Sequence, residues 1–188
     1  MLIDITEKFR QPAEKREPLN KFRVSECWAC VKGYKTLKEF VEGKEVDPRS
    51  TYIMDSGTAR HEMVQRYFKD EYEMEVVVKK QIGEIIISGR ADMVKGDEVW
   101  EIKTSLDLIN ECKSWYEYQT KMYLSLLEKE KGIIVQPVMQ NKDDPKNFKI
   151  LFNVLGEVKR DDDWFAEQIK LLTDYYHKVI KKYGNKTM

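Results

Sequence analysis

The sequence predicts an α/β chain in which a central mixed β-sheet is flanked by α-helices, and three observations predict it. Apolar residues recur at helical spacing in four separate stretches, whereas the middle of the chain is rich in Val and Ile with the two-residue alternation of strands. A Lys95-Gly96-Asp97 turn signal joins two of these β-like stretches into a hairpin. The order helices, strands, helix, strands, helix is one that buries a sheet beneath helices.

Residues 1–21 are polar and broken by Pro12 and Pro18, so they read as an irregular N-terminal arm. Ser25 reads as a cap, after which Cys27, Val31, Tyr34, Leu37 or Lys38 and Val41 keep helical period up to a stop at Gly43. Asp47-Pro48-Arg49-Ser50 reads as a loop. Residues 56–72 are helical again, with Ala59, Met63, Val64, Tyr67 and Phe68 as an apolar stripe. Residues 75–81, 84–94 and 98–104 read as two or three antiparallel strands. A helix is expected over 108–130 with Trp115, Tyr118, Met122, Tyr123 and Leu126 on one side. Strands at 132–139 and 148–155 follow, separated by a polar loop over 141–147. Asp161-Asp162-Asp163 opens a last helix carrying Phe165, Ile169, Leu172, Tyr176, Val179 and Tyr183, its acidic start matched to the positive end of the helix dipole.

With 188 residues the chain is sized for one domain. Lys plus Arg and Asp plus Glu number 33 each, so no global field draws the protein to a polyanion, and nucleic-acid binding would need a local patch. The three cysteines, Cys27, Cys30 and Cys112, form an odd set without a secretory leader, which points to a reducing compartment and a cytoplasmic protein. No apolar run nears the ~20 residues of a membrane span, so no membrane partner is expected. Self-association into a homo-oligomer stays open.

The residues that carry chemistry cluster around two strands. Glu101 and Lys103 share one face of a strand while Trp100 and Ile102 share the other, which sets charges above an apolar floor. If Val94 pairs with Val99, Asp92 falls opposite Glu101 with Cβ atoms ~5 Å apart. Like charges that close oppose folding unless a divalent cation sits between them, and hard carboxylate oxygens suit Mg²⁺ or Mn²⁺. A solvated hairpin with chance charges is the plain alternative. His61, in Ser56-Gly57-Thr58-Ala59-Arg60-His61, stands beside the apolar stripe of its helix and is one of two histidines; a neutral imidazole there would suit a metal. Gln119 interrupts an apolar stripe, so something polar must meet it, and Tyr123 lies one turn further on the same side.

These stretches together resemble the PD-(D/E)xK nuclease superfamily and, within it, the RecB-type branch that includes CRISPR-adaptation and recombination nucleases. The resemblance covers residues 22–127 and rests on Gly57 to His61 for G-x-x-x-H, Gly89 to Asp92 for G-x-x-D, Glu101-Ile102-Lys103 for E-x-K, and Gln119 to Tyr123 for Q-x-x-x-Y. It implies a restriction-endonuclease-like core, hence a nuclease domain over 1–188 with the arm at 1–21, the motif-bearing core at 22–130 and further strands and a helix at 131–188. It implies that His61, Asp92, Glu101 and the carbonyl of Ile102 hold the metal, that Asp92, Glu101 and Lys103 are catalytic, and that Gln119 and Tyr123 touch DNA or brace the site. Several relatives carry an iron–sulfur cluster on one cysteine before this core and three after it. This chain has no cysteine beyond Cys112, so no such cluster is expected.

The resulting expectation is a Mg²⁺- or Mn²⁺-dependent deoxyribonuclease, a phosphodiester hydrolase acting on single-stranded DNA or duplex ends. Arg60 and Arg90 are the candidate grips on the DNA backbone. The rival from another class is a nucleic-acid-binding or assembly protein that keeps the fold without turnover.

Overall fold

The computed structural model describes residues 4, 6–105, 107–141, 143–144 and 146–184. The parts of the expected arm and of the 141–147 loop that fall on residues 1–3, 5, 142 and 145 lie outside the described residues. The elements in chain order are a 3-10 turn (Thr6–Phe9), β1 (Lys21–Arg23), α1 (Val24–Val31), α2 (Leu37–Glu42), α3 (Pro48–Phe68), β2 (Glu73–Ile82), β3 (Ile85–Lys95), β4 (Glu98–Ile102), α4 (Ser114–Leu127), β5 (Lys131–Gln140), β6 (Lys149–Lys159) and α5 (Asp162–Tyr183).

The strands form one mixed sheet in the order β1-β3-β4-β5-β6, with β2 on the other edge of β3. β1 runs parallel to β3 and β4 parallel to β5, while β2–β3, β3–β4 and β5–β6 are antiparallel. Helices α1, α4 and α5 cover one face, enclosing a core that includes Phe22, Ile87, Val99, Met122, Leu124 and Leu172. The opposite face carries a smaller cluster in which Val64 and Phe68 of α3 meet Met93, Ile102, Ile133 and Val135.

Among the departures from expectation, four have a local reason. The helix expected from Ser25 to Gly43 is two helices, because Gly33 turns at φ 75 and Thr36 starts α2 with a reciprocal cap to Glu39. The expected loop at Asp47-Pro48 is the start of α3: Asp47 accepts from Ser50 N at 3.0 Å, and Pro48 occupies the first helical turn, where its missing N–H costs nothing. Residues 108–113 do not join α4, because Gln136 and Asn153 hydrogen-bond to the backbone of Asp107 and Ile109 and hold that segment off the helix. The three-residue β1 is too short to leave a periodic trace in the sequence. The N-terminal arm is also less free than its composition suggests. Arg16 donates to Phe40 O at 3.2 Å and pairs with Glu26 at 2.5 Å, fastening the arm to α1 and α2.

Candidate active site

The hairpins place the carboxylates. Met93 pairs with Trp100 and Val94 with Val99, which is the register that sets Asp92 across from Glu101. On the other edge of β3, Met74 pairs with Met93 and Val76 with Ala91, which sets Glu75 across from Asp92. Glu75, Asp92 and Glu101 therefore form a row across β2, β3 and β4. Ladder pairing lapses along this row, and Glu75 sits at φ 54, a left-handed conformation that a glutamate adopts at a cost of roughly 1–2 kcal/mol. Such outliers persist where surrounding contacts hold them, and they gather at functional sites.

Helix α3 delivers His61 onto this row. Thr104, just past β4, donates to Gly57 O at 3.2 Å, and a Cβ on Gly57 would stand 3.0 Å from the Thr104 hydroxyl, so glycine lets the helix sit close to the strand end. One turn later His61 reaches Asp92, with Nε2 2.9 Å from Oδ2, while Nδ1 lies 3.6 Å from Glu75 Oε1. Burial pulls the His61 pKa down, but the Asp92 contact and the charges of Asp92, Glu75 and Glu101 outweigh it, and the net shift is upward. Asp92 Oδ2 also accepts from Ile102 N at 2.7 Å, which ties β3 to β4 where their ladder has ended.

His61, Glu75 and Asp92 bring one ligand atom each within 4.8 Å of one another, a group able to hold a metal ion. Glu101 lies outside that group and its Oε1 accepts from Lys103 Nζ at 2.7 Å. Its Oε2 is buried and has no hydrogen-bond partner among the described residues. Burial first, then the negative charge of Asp92, pushes the Glu101 carboxyl up to about 7 despite the lysine. An unsatisfied buried carboxylate oxygen beside a second carboxylate and an imidazole is what a divalent cation would satisfy, so the donor set fits one.

Comparison with solved structures decides the fold. The alkaline exonuclease LHK-Exo of Laribacter hongkongensis superposes with a TM-score of 0.60 over 90% of this chain and 96% of that one, at 16% identity. The same enzyme in complex with dAMP gives 0.60 over 89% and 91%, at 15% identity. The crystal structure of SSO0001 gives 0.55 over 86% and 76%, at 24% identity. The chain has the fold of an alkaline exonuclease. This fold agrees with the PD-(D/E)xK resemblance carried by the motifs. The sequence itself matches no family model and no curated protein.

Within this exonuclease fold the remaining motif residues brace the site. Gln119 Oε1 accepts from Lys103 Nζ at 3.0 Å, which is the polar partner its place in the α4 stripe requires. The Tyr123 hydroxyl accepts from Arg90 N at 3.1 Å, and its ring packs so closely on β3 that a Cβ on Gly89 would lie 2.8 Å from that oxygen. Tyr123 is buried, so of the two roles the resemblance implies, bracing is the one its position fits. Arg90 is ion-paired with Glu75, and Arg60 donates to Ser105 O at 2.9 Å. Cys27 and Cys30 are buried in the core with thiols raised by burial, Cys30 to about 12, and all three cysteines are free.

Sequence reasoning missed two residues. Gln65 Nε2 donates to Glu75 Oε1 at 2.7 Å and to Asp92 O at 3.1 Å. Glu75 could have been found: extending the hairpin register from the Gly83-Glu84 turn sets it opposite Asp92. Gln65, four residues after His61 on α3, carries no comparable signal.

Proposed function

We propose that this chain is a Mg²⁺- or Mn²⁺-dependent deoxyribonuclease that hydrolyses phosphodiester bonds at single-stranded or end-bearing DNA, in recombination, repair or CRISPR and viral DNA processing. The observation that carries the reading is the buried Glu101 Oε2, without a hydrogen-bond partner among the described residues, in a row with Asp92, beneath His61 and beside Lys103. His61, Asp92, Glu101 and the Ile102 carbonyl would hold the cation, with Glu75 added to the set by its place beside His61 and Asp92. When bound there, a divalent cation supplies positive charge against the phosphodiester and makes water a better nucleophile.

The chain's own groups do the rest. Lys103 is fixed from two sides, by Glu101 and Gln119, so its ammonium is preorganised to stabilise charge developing on phosphorus or to orient the attacking water. Asp92 holds the Ile102 N–H, which sets the position of that residue's own carbonyl. Gln65 and Arg90 fix Glu75, and Tyr123 pins β3 two residues before Asp92. Exonucleolytic action is supported by the LHK-Exo fold and by that enzyme's complex with dAMP, a deoxynucleotide. Placement in the RecB-type branch rests on Gln119 and Tyr123.

The test is digestion of end-labelled linear and of closed circular single-stranded DNA with Mn²⁺ or in chelator. Release of mononucleotides from the linear strand, with Mn²⁺ only and with the circle spared, is expected. Cutting of the circle would make the enzyme an endonuclease, and binding of DNA without any cleavage would make the chain a non-catalytic DNA-binding protein.

A further inference from the structure

The expected apolar stripe of α4 contains one residue that the core does not take. Tyr118, Met122, Tyr123 and Leu126 are buried, but Trp115 is 40% exposed. It belongs instead to a run of rings across the α1–α4 surface. Tyr34 stacks on Trp28 with centroids 4.9 Å apart and planes at 17°. Trp28 meets Trp115 at 5.6 Å, and Trp115 meets Tyr116 at 5.4 Å. The run ends at the chemistry: Lys103 Nζ lies 4.9 Å from the centre of the Tyr116 ring while it bonds Glu101.

The outer end of the run is open, since Tyr34 is 70% exposed. Cations border it. Lys113 Nζ lies 4.8 Å from the centre of the Trp115 ring, and exposed Lys32 follows Trp28 by one helical turn. Large rings left partly in water lose the gain of full burial, which apolar side chains otherwise take. Rings in series with bordering lysines are the chemistry that single-stranded nucleic acid recognises, because every base has a stackable face and every linkage a negative charge. Paired bases hide their faces in the duplex and cannot use such rings.

We propose that Tyr34, Trp28, Trp115 and Tyr116 form a base-stacking path that guides an unpaired DNA strand to Lys103, and that this path gives the protein its preference for single strands. The inference rests on the nuclease reading for the destination of the strand, but strand binding can be measured apart from cleavage. Trp28 is half-buried and helps join α1 to α4; Tyr34 and Trp115 are the rings free to meet a base.

The experiment measures, in chelator, the affinity of a short fluorescent oligothymidylate, of its counterpart with abasic positions, and of a blunt duplex, for wild type, Tyr34→Ala, Trp115→Ala and Trp115→Phe. Each alanine variant should bind the oligothymidylate about tenfold more weakly, the loss of one stacked base. The duplex and abasic affinities should hold nearly constant, and Trp115→Phe should recover most of the loss. Unchanged oligothymidylate binding in the alanine variants, or equal losses on the abasic strand, overturns the path; Tyr34→Ala alone decides this if Trp115→Ala does not fold. Cleavage with Mn²⁺ is scored in parallel. Cleavage without ring-dependent binding removes the path and keeps the nuclease, whereas ring-dependent binding without cleavage keeps the path and removes the nuclease.

Discussion

The two ends of the carboxylate row share a register and a residue type but not an environment. At the outer end, on β2, Glu75 keeps 30% side-chain exposure and is met by Arg90, Gln65 and His61. At the inner end, on β4, Glu101 keeps 2% and, among the described residues, is met by Lys103, with Oε2 left without a partner, whereas Glu75 Oε2, which also makes no hydrogen bond there, lies against the Arg90 guanidinium. The outer carboxylate is thus compensated within the protein, while the inner one depends on whatever else enters the site. The carboxyl raised by burial is Glu101, which is where the row should respond to pH, while Glu75 belongs with His61 and Asp92 to the group able to hold a cation.

The largest expected effect comes from removing the lysine that pairs with Glu101 at the inner end. Lys103→Ala should lower cleavage by about 10²–10³-fold or more, as loss of a preorganised charge donor does. DNA binding should change little. Because the substitution also strands a buried carboxylate, it should cost roughly 3–5 kcal/mol of stability where Glu101 is ionised. Cleavage rates, strand affinity and denaturant melts on either side of neutral pH check this, and an equal stability loss at both pH values would break the contrast between the two ends.

The second prediction concerns Glu101 itself. Its folded pKa, about 7, lies above the unfolded value, so its contribution to stability is full below the unfolded pKa and is lost as pH rises through about 7. In chelator, Glu101→Gln should therefore remove a decline of up to about 3 kcal/mol across that window. Cation affinity should run the other way. It should fall as pH drops through neutrality, because protons compete at Glu101 and at His61, whose pKa is also raised. Stability curves against pH with and without Mn²⁺ test both signs.

Asp92, in the middle of the row, tests a reversal. Pairing alone would have its neutralisation relieve repulsion and raise stability. The structure instead gives its carboxylate the Ile102 N–H and His61, so Asp92→Asn should lose roughly 1–2 kcal/mol in chelator, the weakening of charge-assisted hydrogen bonds. A variant more stable than wild type there would mean that repulsion governs the row. The smallest effect is expected at the rim: Arg60→Ala should weaken DNA binding a few-fold regardless of sequence and lower the salt slope by about 1.

Much of this arrangement was legible in the sequence, because period-two alternation and a short turn fix a hairpin register, and the register brings Asp92 to Glu101. The E-x-K spacing placed Glu101 and Lys103 on one face, where they are joined. Helices were less legible. In α4 the predicted stripe holds except at Trp115, which meets other rings instead of the core. In α3 the periodicity misleads: Val64 is buried, but Met63 is 49% and Tyr67 78% exposed, because this helix packs on only a narrow part of its sheet face. Gln65 escaped because its contacts cross from one element to another and such contacts leave no period in either one, whereas Glu75 needed only the β2–β3 register carried back from the Gly83-Glu84 turn.

The central claim is that the row holds a divalent cation when the protein is folded. The most direct measurement is the thermal midpoint of wild type and Asp92→Asn in chelator and in Mn²⁺ at about 100 times its dissociation constant, where one bound ion adds about 2.7 kcal/mol. The account predicts a marked rise for wild type and little or none for Asp92→Asn. No rise in wild type, or an equal rise in both, would contradict it.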